Sequence, residues 1–243
     1  MAGRELPPSS PFADDDGSAD PGLAAVLREY AAGAATLGDV VAALAGTRVL
    51  VPVLAELELA GQVEHDGHTH TVDKEASAGI VALRAPDGRT ALPVFTSMAA
   101  MTAWRLDARP VPSDVPCAAL SAVQEGWEVV VVDPGGPVTA LLPRPAVWAL
   151  AQQEPWRPAV GPDGVDPDVV AAVRRALAPV GAVIEADALP GSRAEVAVVV
   201  TLVDGLDRTL LDRTVERVNA ALAADEVVAA RVDSLELRLR RAG

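Results

Sequence analysis

Three histidines, His65, His68 and His70, are the chain's whole complement, and they fall within seven residues, EHDGHTH at 64–70. On an extended strand His68 and His70 point the same way, so the pair has the geometry to chelate a borderline metal such as zinc. A third ligand, Glu64 or His65, would have to fold back across Asp66-Gly67. The plainer reading is a solvated hairpin tip, because Asp-Gly between two strand patterns is a strong hairpin signal. That reading is preferred, and no cofactor is expected.

A second group is Pro93-Val94-Phe95-Thr96-Ser97, where a strand pattern runs into a helix pattern. Thr96 and Ser97 offer side-chain oxygens to the free amides of the helix start. Such a junction also presents N–H groups that suit a small carboxylate or phosphate, with Lys74 and Arg89 as the cations to pair with it. Cys117, in SDVPCAALSAV, falls in the first turn of a helix, a position that suits a reactive thiol. No base adjoins it in sequence, so a small core residue is preferred to a nucleophile. VVVVDPGGPV lacks the Gly-Lys-Ser/Thr of a phosphate loop and reads as a tight turn between strands. No G-x-S-x-G, H-E-x-x-H or C-x-x-C occurs, so no catalytic constellation is recognised. The four tryptophans, Trp104, Trp127, Trp148 and Trp156, all precede residue 160. Aromatics concentrate at interaction hot spots, and Trp156, in the Pro-rich stretch EPWRPAVGPDGV, is the candidate contact residue.

The elements that carry these groups follow from periodicity. Residues 1–19 mix Pro, Ser, Gly and the run Asp14-Asp15-Asp16, a composition expected to form a disordered tail. Order is expected from Asp20, which can cap a helix opening at Pro21, with a second helix over 39–45. RVLVPVLAELEL reads as a strand, AGIVALRAP and RTALPVF as a strand pair across Pro86-Asp87-Gly88, and SMAAMTAWRL as a helix capped by Thr96 or Ser97. A helix ending at Gly126, the strand WEVVVVD, its hairpin partner VTALLP and the helix RPAVWALAQQ complete an α+β domain over 20–158. Residues 154–165 read as a linker. The pattern then restarts as α-β-β-α-β, a second small α+β domain over 159–243 with a three-stranded antiparallel sheet and helices on one face. In its last strand, VDSLELRLR, Leu235, Leu237 and Leu239 are expected to face inward and Glu236, Arg238 and Arg240 outward.

Composition excludes several functions. A net charge of −14 over 243 residues argues against a nucleic-acid-binding face, which needs clustered cations. A single cysteine rules out an internal disulfide and fits a reducing compartment. The N-terminus carries no apolar core of a signal peptide, and no run approaches the roughly 20 apolar residues of a spanning helix. A soluble, cytoplasmic protein is expected, with no membrane partner.

DGRTALPVFTSMAAMTAW at 87–104 is the most distinctive stretch. With RVLVPVL and the segment Asp73-Lys74-Glu75-Ala76-Ser77 before it and DPGGPV after it, it resembles the SseB-like family, named for enhanced serine sensitivity. The resemblance covers about residues 22–158. One departure is DKEASAGI, where the family pattern often runs D-K-x-S-D-M-A. The resemblance implies a soluble bacterial protein, and the composition favours an actinobacterial type; it supplies no catalytic residues. The leading functional reading is a non-catalytic protein-interaction or regulatory module, with a protein partner or a homodimer formed through an exposed edge strand such as VDSLELRLR. The alternative is a protein binding a small ligand, an amino acid or anion, or an unassigned enzyme, using the Thr96-Ser97 helix start.

Overall fold

The computed structural model describes residues 11–55, 78–85 and 88–242. The chain forms two units, one built on residues up to Pro143 together with Val147–Glu154, the other on Arg144–Ala146 and from Pro155 onward. The fold is α+β, with mixed and antiparallel sheets flanked by helices.

In the first unit, helix α1 (Pro21–Ala31) starts where Asp20 accepts the Leu23 N–H at 2.9 Å, and it buries Leu23 and Leu27 one turn apart. Helix α2 (Leu37–Leu44) begins two residues before the expected Asp39. Thr36 is its cap and Asp39 the reciprocal carboxylate of a capping box, so Asp39 lies inside the first turn. Strand β1 (Arg48–Ala55) is the centre of an antiparallel sheet between β2 (Ala78–Ile80) and β5 (Arg109–Asp114). Strand β5, RPVPSD, carries Pro110 and Pro112, which cannot donate to a ladder. Its edge position resolves this, since one side of the strand needs no donors.

The second sheet runs β3 (Leu83–Arg84), β4 (Thr90–Val94), β6 (Val129–Val132), β7 (Ala140–Leu142). Strands β4 and β6 are parallel, Val94 opposite Val132, and the outer pairs are antiparallel. Helix α3 (Met98–Trp104), β5 and helix α4 (Val115–Gln124) make up the long crossover that a parallel pair requires. All four valines of β6 are buried: Val129 and Val131 pack with Ala85 and Ala91, and their neighbours point to the opposite face. Leu50 and Phe95 exchange backbone hydrogen bonds of 2.8 and 2.9 Å, which joins the two sheets just beyond the end of β4. Helix α5 (Arg144–Gln152) ends on Gln153 in the left-handed region, φ 59°.

The second unit opens with a two-rung hairpin, β8 (Val160–Gly161) and β9 (Gly164–Val165). The expected linker is therefore partly structured: Ala159 is fully buried and belongs to the same apolar cluster as Val169 and Val173. Helix α6 (Pro167–Leu177), capped by Asp166, buries Val169, Ala172, Val173 and Leu177. Strands β10 (Val183–Pro190), β11 (Val196–Leu202) and β12 (Leu235–Arg241) form one sheet in that order, with helices α7 (Arg208–Ala224) and α8 (Glu226–Arg231) between β11 and β12. The expected all-antiparallel sheet is corrected here. Strands β11 and β12 are parallel, Val196 opposite Leu235 through Leu202 opposite Arg241, because the two helices return the chain to the start of β11 before β12 begins. In α7, Val218 and Leu222 are buried, while Leu210, near its start, is 47 % exposed. The alternation in β12 holds, but the burial expected from it is corrected. Leu237 packs on the core, but Leu235 and Leu239 stand 40 % and 43 % exposed while Glu236 is buried.

Candidate functional site

Strands β4 and β6 end side by side, and the chain leaves both at the same edge. In open sheets with parallel strands this edge is where polar groups from successive connections converge. Asp133 follows β6 directly, and Thr96 follows β4 by two residues. One oxygen of Asp133 accepts the Thr96 N–H at 2.8 Å and the other accepts the Thr96 Oγ1 hydroxyl at 2.7 Å. Thr96 is 5 % and Asp133 8 % exposed. Burial pushes the Asp133 carboxyl above its ordinary range, and the two hydrogen bonds from Thr96 oppose it without cancelling it. Asp133 also holds φ 46°, a left-handed conformation uncommon for a residue with a side chain. Its carbonyl accepts the Thr139 hydroxyl at 2.9 Å and the Gly136 N–H at 3.1 Å, and its N–H donates to the Val94 carbonyl, so the strain is fixed from three sides.

The adjoining helix start is likewise engaged. Ser97 Oγ accepts the Ala100 N–H at 3.1 Å, and the Met98 N–H donates to the Gly17 carbonyl at 2.8 Å. The segment around Gly17 is clasped by Arg48, which begins β1. The Arg48 guanidinium pairs in a fork with both Asp15 carboxylate oxygens and donates to the carbonyls of Ser18 and Thr96, each at 2.6 Å. The Asp15 carboxyl is held below its usual range chiefly by Arg48. A disordered tail over 1–19 is thus corrected for residues 11–19: the acidic run that argues for disorder supplies the carboxylate that docks the segment. Gly17 is required there, since a Cβ would stand 2.5 Å from the Met98 Cγ and φ is +76°.

The residues singled out from the sequence divide as follows. Thr96 and Ser97 are adjacent, but only Ser97 caps α3; Thr96 turns inward to Asp133. Arg89 lies before β4, at the opposite end of that strand from Thr96, so the two are not brought together. Lys74, His65, His68 and His70 lie outside the described residues. Trp156 is half-buried, and its indole N–H is buried with no acceptor among the described residues. Cys117 is exposed on α4, which corrects its reading as a core residue; Ala118 and Ala119 take the inward positions. Asp133 was missed. Its one signal was a lone carboxylate ending an unbroken valine strand, and the Pro-Gly-Gly after it drew the reading toward a turn.

Two further carboxylates are organised in the second unit. Glu236 accepts the Ser192 N–H at 3.0 Å and hydroxyl at 3.3 Å, with Arg193 and Arg238 beside it, and is pushed down to about 2, first by the Ser192 amide. Glu195 accepts the Asp233 N–H at 2.7 Å and is pushed up by burial, with the neighbouring Asp233 charge adding to the shift. Arg144 donates to the Ala229 and Val232 carbonyls at 3.0 and 3.1 Å, closing the end of α8. Among the described residues, no group of three or more His, Cys, Asp or Glu side chains is placed to hold a metal ion.

The chain is thus an α+β protein of two units, the first with a buried Thr–Asp pair at the ends of its parallel strands. Residues 23–149 match the family model described as SseB protein N-terminal domain, and the chain belongs to the SseB family. No curated protein and no solved structure matches it. Among the described residues, no helix is long and apolar enough to cross a membrane.

Proposed function

We propose that this SseB-family chain is a non-catalytic protein-interaction or regulatory module acting in the cytoplasm. The observation that carries this reading is the closure of the first unit's polar constellation on itself. Asp133 is satisfied by Thr96, the Ala100 amide by Ser97, and the Met98 amide by the Gly17 carbonyl. A catalytic or ligand-binding site instead presents convergent polar groups to a concave opening. The surface also carries large apolar side chains, including Leu106 at 87 % and Trp148 at 44 % exposure, of the kind that partner proteins cover.

The alternative, a small amino acid or anion bound at Thr96-Ser97, would have to displace one of those internal partners. Both readings meet in one experiment. The purified chain is screened by thermal shift against amino acids, small carboxylates, inorganic phosphate and zinc, and the tagged chain is recovered from its host at native expression. A ligand at a hundred times its dissociation constant adds roughly 2.7 kcal/mol, which is plainly visible. The interaction reading expects a flat screen and a partner that recovers the chain reciprocally. A shift with an amino acid or anion, abolished in Ser97→Ala, overturns it, as does repeated recovery of the bait alone.

A further inference from the structure

Strand β12 is the end strand of its sheet, and its outer side pairs with no strand among the described residues. Long, apolar edge strands are templates for pairing with another chain unless they are blocked by proline, bulges or inward charges. Leu235, Leu237 and Leu239 project to the helix-covered face, and two of the three are substantially exposed there. Hollows flank the strand on that face at both ends. One, of about 370 Å³, is lined by Leu222, Ala223, Val228, Leu235 and Leu237; the other, of about 310 Å³, by Leu206, Leu211 and Leu239.

We propose that β12 pairs with β12 of a second copy of this chain, antiparallel about a two-fold axis through Leu237, to give a continuous six-stranded sheet. The register follows from the order of residues, Ser234-Leu235-Glu236-Leu237-Arg238-Leu239-Arg240. With Leu237 opposite Leu237, Leu235 stands opposite the partner's Leu239, and Glu236 opposite the partner's Arg238. Every leucine meets a leucine on one face, and the Glu236 carboxylate meets a guanidinium on the other. Moving the axis by one residue, to Arg238, sets Arg238 against itself and Leu235 against Arg241. Only the Leu237 axis is complementary on both faces, and cross-strand pairs of these types are the unit of sheet stabilisation. The two-fold also brings the hollow at one end of β12 beside the opposite end of the partner strand, so each copy's exposed leucines cover the other's. Self-pairing needs no foreign partner and therefore stands or falls separately from the reading above.

The test separates register from mere hydrophobicity. The full chain is followed by sedimentation velocity from about 1 to 100 µM, a range chosen to bracket micromolar association. Two double variants are compared with it: Leu235→Lys with Leu239→Lys, and Leu235→Lys with Leu239→Glu. The first puts lysine opposite lysine twice across the axis and is expected to be monomeric throughout. The second carries as many new charges but puts lysine opposite glutamate twice, and is expected to dimerise as the parent does. Hydrogen exchange of the β12 amides, slower at high than at low concentration in the parent, reads the same contact without substitution. A parent that stays monomeric with concentration-independent exchange overturns the proposal, as does a lysine–lysine variant that still dimerises. A lysine–glutamate variant that is folded by circular dichroism yet monomeric overturns the register.

Discussion

At the scale of single residues, Asp133 and Arg48 are the two groups whose loss the structure makes most specific. Asp133→Ala leaves the Thr96 N–H and hydroxyl buried without partners, each at a cost of about 1–3 kcal/mol. The expected outcome is a lower unfolding midpoint in denaturant, with the loss localised to the β4–α3 and β6–β7 junctions by hydrogen exchange. Asp133→Asn keeps an acceptor and tolerates the left-handed conformation, so it should retain the fold. Its effect should appear in the pH profile. Because the folded carboxyl is raised, the native state holds its proton more tightly than the unfolded chain does, and stability falls as pH rises from about 3.8. Asp133→Asn should abolish that fall, and a profile identical to the parent's would show that Asp133 is not the titrating group.

Arg48 acts across 33 residues of sequence on Asp15 and also holds the Thr96 carbonyl. Arg48→Ala should release residues 12–18 to rapid proteolysis and exchange while sparing the β10–β11–β12 sheet. Protection of that segment unchanged from the parent would rule out the clasp as its anchor. Neither residue could be weighted from the sequence. Asp133 looked like the first residue of a turn, and Asp15 like part of a disordered acidic run, because the partners that define both lie more than thirty positions away.

At the scale of elements, the turn between β10 and β11 is tightly constrained. A Cβ on Gly191 would lie 2.0 Å from the Ala194 carbonyl oxygen, and the Gly191 N–H already donates to the Glu195 carbonyl. Ser192, next in the turn, is the main donor to Glu236. Gly191→Ala should therefore disturb both the turn and the carboxylate cluster, lowering the stability of the second unit by about 1–3 kcal/mol. Local exchange of β10 and β11 would report it, and unchanged protection would mean that the turn relaxes freely. The start of α1 was legible: Asp20 accepts an amide of the first turn, and Pro21 opens the helix. Strand β5 was the least legible, because proline's prohibition in a ladder lapses at an edge, and sequence does not say which strand is an edge.

At the scale of the molecule, the acid limb of stability should carry the signature of Glu236. Its folded carboxyl lies at about 2 against an ordinary 4.5, so the stabilisation is fully present above pH 4.5 and is lost as pH falls toward 2. In the wild type, exchange at Ser192 and along the start of β12 should accelerate through that window. Glu236→Gln should flatten the dependence, and an unaltered acid limb would assign it to other carboxylates.

The sequence by itself determined the α+β class, the SseB resemblance, most helix starts and the strand character of the valine-rich segments. These depend on periodicity, capping and short motifs, which act over a few residues. The tertiary structure alone decided that β4 pairs with β6 and β11 with β12 in parallel, that Thr96 turns inward to Asp133, and that residues 11–19 are clasped by Arg48. Each depends on which distant segments become neighbours, and local pattern carries no record of that. The leucines of β12 join the two scales. Their alternation was plain in the sequence, but their exposure was fixed by the strand's place at the end of its sheet.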